Sequence, residues 1–126
     1  ASLTPDEIGY LNLHGTGTPL NDMMEAKAVD TLFNGVPCSS VKPLIGHCLG
    51  AAGAMETGVC WLMLNTEGSK RLMPTHRWDG VTDPDLPQLK LVHEGEALPI
   101  RKSTYAMSNS FAFGGSNCSV ILGRYG

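Results

Sequence analysis

Residues 49–65 read LGAAGAMETGVCWLMLN. Between Pro43 and Thr66 the only side chain with a formal charge is that of Glu56. A helix that is apolar all round is buried on more than one face, and the small residues at 50–54 allow close packing of its backbone. The stretch therefore predicts a helix, from about Leu49 to Asn65, that lies between two layers of the fold.

The residues on either side of this helix predict an alternation of strands and helices. Asp22 is predicted to be the N-cap of the first helix, with Glu25 three residues later as in a capping box. The remaining predicted elements are a strand at Ile8–Leu13 that ends at His14, a helix from Asp22 to about Phe33, short strands at Val36–Val41 and Leu89–Val92, and a hairpin of Tyr105–Asn109 and Asn117–Leu122. This order indicates an α/β or α+β fold with one buried helix.

Composition narrows the class of protein. The chain has 126 residues, of which 42% are hydrophobic and 17% charged, so it reads as one globular domain. A formal net charge of -3 argues against a nucleic-acid-binding protein, which usually carries a basic stripe. The apolar stretch at 49–64 is interrupted by glycines and Glu56 and is too short for a membrane span. The chain has no signal peptide and no initiator Met, which suggests a fragment or a processed product.

The four cysteines, Cys38, Cys48, Cys60 and Cys118, contain no C-x-x-C pair, so we expect no metal site. Their apolar neighbours favour reduced, buried thiols in a cytoplasmic protein over a disulfide framework. Cys48 follows His47 directly, but adjacent side chains diverge and catalytic Cys–His pairs are distant in sequence. Cys48 is therefore not predicted to be a nucleophile.

Two histidines stand in glycine-flanked, weakly charged runs. His14 follows a predicted strand, and His47 precedes the predicted helix by one or two residues. The positive end of that helix should lower the pKa of His47 and favour the neutral imidazole. Two neutral N–H donors that converge on one oxygen would stabilise an enolate. The alternative is that each histidine is an ordinary buried residue with a satisfied hydrogen bond.

Glu56 needs a partner if it is buried, because an isolated buried charge is costly. Lys42 is the nearest candidate in the same glycine-rich unit. The alternative is that Glu56 lies at the rim of the helix in water. A Lys42–Glu56 pair beside His47 would be a fixed electrostatic element of the site.

Three ordered motifs make the chain recognisable. It resembles the C-terminal half of an elongating β-ketoacyl-[acyl carrier protein] synthase, of the thiolase-like superfamily, over nearly its whole length. The motifs are residues 12–22 (NLHGTGTPLND), 41–53 (VKPLIGHCLGAAG) and 109–117 (NSFAFGGSN).

The resemblance implies a role for each site residue. His14 and His47 look like the two histidines of the family's Cys-His-His triad, and Lys42 and Glu56 like its active-site lysine and the carboxylate partner. The other matching positions are Asp22 and Glu25 as structural acidic residues, Thr16 and Thr18 as ligands of the phosphopantetheine arm, Phe113 as the gating phenylalanine and Phe111 as its neighbour in the pocket.

The departures from the family pattern are Ala112 in place of a glycine, Ser116 in place of a threonine, and a less polar run at residues 43–45. The nucleophilic cysteine of the family lies in an N-terminal half that these residues do not include. Residues 1–126 would be the C-terminal domain, the second half of an αβαβα layered fold. We expect it to expose an apolar face, to need its N-terminal half for stability, and not to form the acyl-enzyme alone.

The implied reaction is the decarboxylative Claisen condensation of an enzyme-bound acyl group with malonyl-acyl carrier protein, without a cofactor of the enzyme's own. The implied partners are acyl carrier protein and a second ketosynthase-like subunit, in a homodimer or a heterodimer. The alternative is a non-catalytic chain-length-factor subunit, which shares the fold but lacks the nucleophile. A thiolase is disfavoured by the two histidines together with Lys42.

Overall fold

The computed structural model describes residues 1–67, 70–99 and 103–125. Its strands are β1 Ile8–Asn12, β2 Cys38–Ser39, β3 Arg71–Leu72, β4 Ala97–Leu98, β5 Ser103–Phe111 and β6 Asn117–Tyr125. Its α-helices are α1 Pro19–Leu32, α2 Lys42–Ile45 and α3 Ala52–Asn65. The predicted first strand, long charge-poor helix and C-terminal hairpin are thereby confirmed, the helix being preceded by a 3-10 turn at Leu49–Ala51.

A four-stranded sheet in the order β2-β1-β5-β6 organises the chain. β1 is parallel to both β2 and β5, whereas β5 and β6 form an antiparallel hairpin. The register pairs Asn12 with Ser39 on one side and with Ser108 on the other. Because parallel strands end at the same edge of a sheet, the residues that follow β1 and β2 meet the last residues of β5 there.

Helices cover both faces of this sheet. Tyr10 belongs to a buried cluster with Cys60 and Leu64 of α3, whereas Leu11 belongs to a second cluster with Val29 of α1. Successive residues of a strand point to opposite faces, so α1 and α3 lie on opposite sides of β1. The resulting three layers, helix, sheet and helix, are those of an α/β fold.

The far side of α3 is open in this chain. Cys60 and Leu64 are buried against the sheet, but Met55, Trp61 and Leu62 are 44%, 56% and 61% exposed. The predicted burial of this helix on more than one face is therefore not provided by the described residues themselves. An exposed apolar stripe of this kind is typical of a surface that meets another protein layer.

Several boundaries differ from the sequence-based expectations. The first helix begins at Pro19 with Thr18 as N-cap, so Asp22 is wrong as N-cap; proline is well suited to the first helical position because its missing N–H needs no partner there. Only Cys38–Ser39 of the predicted strand at 36–41 pairs with β1, and Lys42 opens the four-residue helix α2. The predicted strand at 89–92 supplies a single bridge, between Leu91 and Cys38.

A small antiparallel pair of β3 and β4 lies outside the main sheet and was not predicted. Two residues per strand carry too short a pattern to be recognised in a sequence. Among the described residues, no helix has the length and hydropathy that crossing a bilayer requires.

Candidate active site

Four of the predicted residues meet at the edge where β1 and β2 end. His14 follows β1 and is buried, Lys42 opens α2, and Glu56 lies in α3. The Lys42 ammonium donates to a carboxylate oxygen of Glu56 and to the backbone carbonyl of His14. Lys42 and Glu56 are both buried, so the predicted ion pair is confirmed and the solvent-exposed alternative for Glu56 is wrong.

Lys42 also fixes which nitrogen of His14 carries the proton. Its Nζ lies 3.4 Å from His14 Nδ1. An ammonium has donors only, so Nδ1 must be the acceptor and the proton of the neutral ring resides on Nε2. Burial, together with the positive charge of Lys42, lowers the pKa of His14 to about 4. The His14 imidazole is consequently a neutral Nε2–H donor at physiological pH.

His47 completes a pair of imidazoles. Its ring centroid lies 5.5 Å from that of His14, with the two ring planes nearly perpendicular. Gly46, with φ of +80°, turns the chain just before it. In this chain His47 is exposed, not enclosed as predicted, and the 3-10 turn at Leu49–Ala51 separates it from α3. Two imidazoles at this separation can both direct an N–H at one oxygen atom.

Glu25 and Asp22 hold the loop that carries His14. The buried Glu25 carboxylate accepts the backbone N–H groups of His14 at 2.9 Å and Gly15 at 2.8 Å, and the Asn109 amide at 3.3 Å. Burial raises the pKa of Glu25, while these hydrogen bonds oppose the shift. Asp22 accepts the backbone N–H of Gly17 at 3.3 Å. The predicted capping box is therefore wrong, because both carboxylates bind the preceding loop.

The remaining predicted residues surround the histidines at different depths. Phe111 lies with its ring centroid 5.7 Å from that of His14, whereas Phe113 is fully exposed in the turn after β5. The hydroxyls of Thr16 and Thr18 are 2.8 Å apart. Thr16 is half-buried and Thr18 exposed. The structure thus brings Phe111 to the histidines and leaves Phe113 and Thr18 at the surface.

The thiols follow the sequence-based prediction only in part. Cys38 and Cys60 are buried, and burial raises the pKa of each to about 12, which leaves both unreactive at neutral pH. Cys118 is exposed and Cys48 is half-buried, so for these two the predicted burial is wrong. Cys48 Sγ lies near the carbonyls of Ile45 and Gly46.

Gly15 provides a test of how tightly this loop is fixed. Its φ is +36°, and an added Cβ would lie 2.7 Å from the Ser40 Cβ, whereas Gly17, at φ +73°, has open space around it. Replacing Gly17 by alanine is expected to cost about 1–2 kcal/mol of stability for the backbone conformation alone. Gly15→Ala should cost about 1–3 kcal/mol more, from the clash. Urea unfolding of both variants checks this order, and equal losses would contradict it.

The lowered pKa of His14 predicts a pH dependence of stability. Between pH 6.5 and about 4 the unfolded imidazole binds a proton that the native ring does not accept. The contribution of His14 is therefore complete above pH 6.5 and decreases as the pH falls towards 4. We expect the urea midpoint to fall less on acidification in His14→Gln than in the wild type. An equal decrease in both proteins would show that His14 does not cause it.

An open pocket of about 690 Å³ adjoins His47 and the loop that follows His14. It is lined by the Gly15–Gly17 loop and His47 on one side, and by His76, Trp78 and residues 81–91 on another. His76, Trp78 and Ser40 also line the pocket, and none of the three was predicted as a site residue. No motif surrounds them, and only the tertiary structure brings residues 76–91 next to the His14 loop.

Comparison with known proteins identifies the family of the chain. Residues 1–75, which contain His14, Lys42, His47 and Glu56, match the family described as beta-ketoacyl synthase, C-terminal domain. The chain belongs to this family. Its fold is that of solved ketosynthases, the C-terminal half of the thiolase-like layered architecture. The solved ketosynthase ApeO in complex with its chain length factor ApeC, from Xenorhabdus doucetiae, is similar with a TM-score of 0.83 and 48% identity, covering 98% of this chain and 30% of that one.

Other relatives are also condensing enzymes by description. The ishigamide ketosynthase/chain length factor is similar at a TM-score of 0.78 and 34% identity, over 98% of this chain and 30% of that one. The 3-oxoacyl-[acyl-carrier-protein] synthase 2 of Coxiella burnetii is 35% identical over 98% of this chain. This chain spans 29% of the length of that relative.

Proposed function

We propose that this chain forms the histidine half of the active site of a 3-oxoacyl-[acyl carrier protein] synthase. The observation that carries the proposal is the His14–His47 pair, with Lys42 holding the His14 proton on Nε2. In the complete protein an N-terminal half would supply the nucleophilic cysteine and cover the exposed side of α3. Acyl carrier protein would deliver the malonyl group on its phosphopantetheine arm past Thr16 and Thr18.

The geometry suits decarboxylation of a malonyl thioester. The bond between the carboxylate carbon and the methylene carbon breaks, CO2 leaves, and the electron pair forms an enolate whose negative charge lies on the thioester oxygen. Two N–H donors at that oxygen, one from His14 and one from His47, stabilise the enolate without giving up a proton. The enolate carbon then attacks the acyl-cysteine carbonyl, and the cysteine thiolate leaves as the new carbon–carbon bond forms.

A chain-length-factor subunit is the second candidate, because similar solved structures include ketosynthase–chain length factor complexes. The ordered His14, His47 and Lys42 arrangement favours the enzyme, since a subunit that forms no enolate has no need of it.

The test uses the full-length protein that contains this chain. It is incubated with malonyl-acyl carrier protein and an acyl donor, and CO2 release and the 3-oxoacyl product are measured. Intact mass is recorded before and after cerulenin, an inhibitor that alkylates the nucleophilic cysteine. Turnover and one inhibitor adduct would support the synthase. No adduct and no turnover until a ketosynthase partner is added would support the chain-length factor.

A further inference from the structure

A third histidine is held firmly at the wall of the pocket. The backbone N–H of His76 donates to the carbonyl of Val92 at 2.9 Å, and its Nδ1 accepts the backbone N–H of Ser40 at 3.1 Å. The Ser39 hydroxyl donates to the carbonyl of Pro74, two residues earlier, at 2.7 Å. His76 is therefore fixed in position by the residues that end β2.

Ser40 links His76 to the His14 loop. Its backbone N–H binds His76, while its hydroxyl donates to the carbonyl of Gly15 at 2.8 Å. Ser40 thus connects His76 directly to Gly15 in the loop that follows His14. His76 has the fixed geometry of a functional residue, although the proposed reaction assigns it no role.

The hydrogen bond to Ser40 determines the free nitrogen of His76. Since Nδ1 accepts a backbone N–H, the proton of the neutral ring must be on Nε2. Burial lowers the pKa of His76, which favours this neutral form. Nε2 makes no hydrogen bond to any of the described residues, and the side chain lines the pocket. One fixed donor is therefore left for a ligand.

Trp78 stands beside this donor, with its ring 6.2 Å from the His76 ring, and lines the same pocket. The pocket continues from these two residues to Thr16 and His47. Its lining thus combines apolar side chains with hydrogen-bonding groups and includes His47 of the histidine pair.

We infer that His76 and Trp78 form a binding subsite for the pantetheine arm of the substrate, with His76 Nε2–H donating to an amide carbonyl of the arm and Trp78 packing against its hydrocarbon part. The inference rests on the proposed function. A pantetheine arm contains both amides and short hydrocarbon segments, and this wall offers a donor on His76 next to the apolar ring of Trp78. A hydrocarbon acyl chain would leave the His76 donor without an acceptor, which is costly in a partly buried site.

Two substitutions separate ligand binding from structural support. In His76→Asn the amide oxygen can replace Nδ1 as acceptor for Ser40, but the side chain is too short to replace the Nε2 donor. In His76→Gln the amide nitrogen can replace Nε2, but the acceptor for Ser40 is lost. A binding role predicts the larger loss in H76N, and a purely structural role predicts the larger loss in H76Q.

The measurement is kcat/KM for decarboxylation by the full-length protein, with malonyl-pantetheine and with the S-ethyl thioester of malonate, which has no amide. We expect H76N to lower kcat/KM by about three- to tenfold for malonyl-pantetheine only, and H76Q to lower it less. A loss in H76N that is equal for both substrates, a larger loss in H76Q, or no loss at all would overturn the inference.

The control is Lys27→Asn, which changes an exposed residue of α1 that does not line the pocket and should leave both substrates unaffected. Binding of free pantetheine, measured by calorimetry on the same variants, gives a readout that does not require turnover. A wild type without decarboxylase activity would refute the proposed function, whereas an active wild type with an unaffected H76N would refute only this inference.

Discussion

Replacing His47 by alanine is expected to reduce the decarboxylation of malonyl-acyl carrier protein by the full-length protein by about 10²–10³-fold, the usual cost of removing one oxyanion donor. His14 alone would still donate one hydrogen bond to the enolate oxygen. The second donor would be gone, since the His47 ring is the one that stands 5.5 Å from His14. Release of labelled CO2 measures the loss.

Within the residues that the structure describes, His47 is exposed, so the substitution disturbs none of their buried packing. An unchanged thermal midpoint beside a large loss of activity would separate catalysis from folding. Lys27→Ala removes an exposed side chain of α1 that does not line the pocket and is the control for the substitution itself. Unchanged decarboxylation in His47→Ala would refute the catalytic role.

Replacing Glu56 by leucine is expected to destabilise the protein by about 3–5 kcal/mol. The substitution leaves the Lys42 ammonium buried without its counter-charge. Glu56 Oε2 has no hydrogen-bond partner among the described residues, so the carboxylate interacts chiefly through Oε1 with Lys42. Glu56→Gln keeps an acceptor oxygen for Lys42 and should cost less. Urea unfolding measures both.

The double variant Lys42→Met/Glu56→Leu distinguishes stability from catalysis. Removing both charges is expected to recover much of the lost stability, since a buried ion pair adds little over a well-packed apolar pair. Activity should stay low, because nothing then holds the His14 proton on Nε2. A double variant as unstable as Glu56→Leu would show that the ion pair was not the cause of the loss.

The sequence predicted those parts of the site that depend on a buried charge needing a partner, or on a pattern within one segment of the chain. A buried carboxylate in an otherwise uncharged helix requires a cation, so residue types predicted a Lys42–Glu56 pair as one of two alternatives, and the observed burial of Glu56 decides between them. The hairpin and the long helix followed from runs long enough to show a pattern. The motifs led to the family, which residues 1–75 then matched.

What could not be predicted depends on contacts between distant segments. Glu25 reads as half of a capping box, yet it accepts backbone N–H groups from the loop of residues 14–15 because α1 begins earlier and packs over that loop. His76 lies in a segment without periodicity, and only the hydrogen bond to Ser40 reveals its orientation. His47 is exposed because none of the described residues covers it. The residues next to it in sequence do not indicate whether another protein layer does so.

The position of β1 also sets the order in which this layer can fold. β1 pairs with β2 soon after it in the chain, but its other neighbour, β5, is separated from it by almost the whole length of the sequence. Contacts between such distant segments are slow to form, because the entropy of closing the long loop is lost first. During synthesis on the ribosome, β1 would therefore have one unpaired edge until residues 105–108 emerge. We expect chaperones to be most important during that interval.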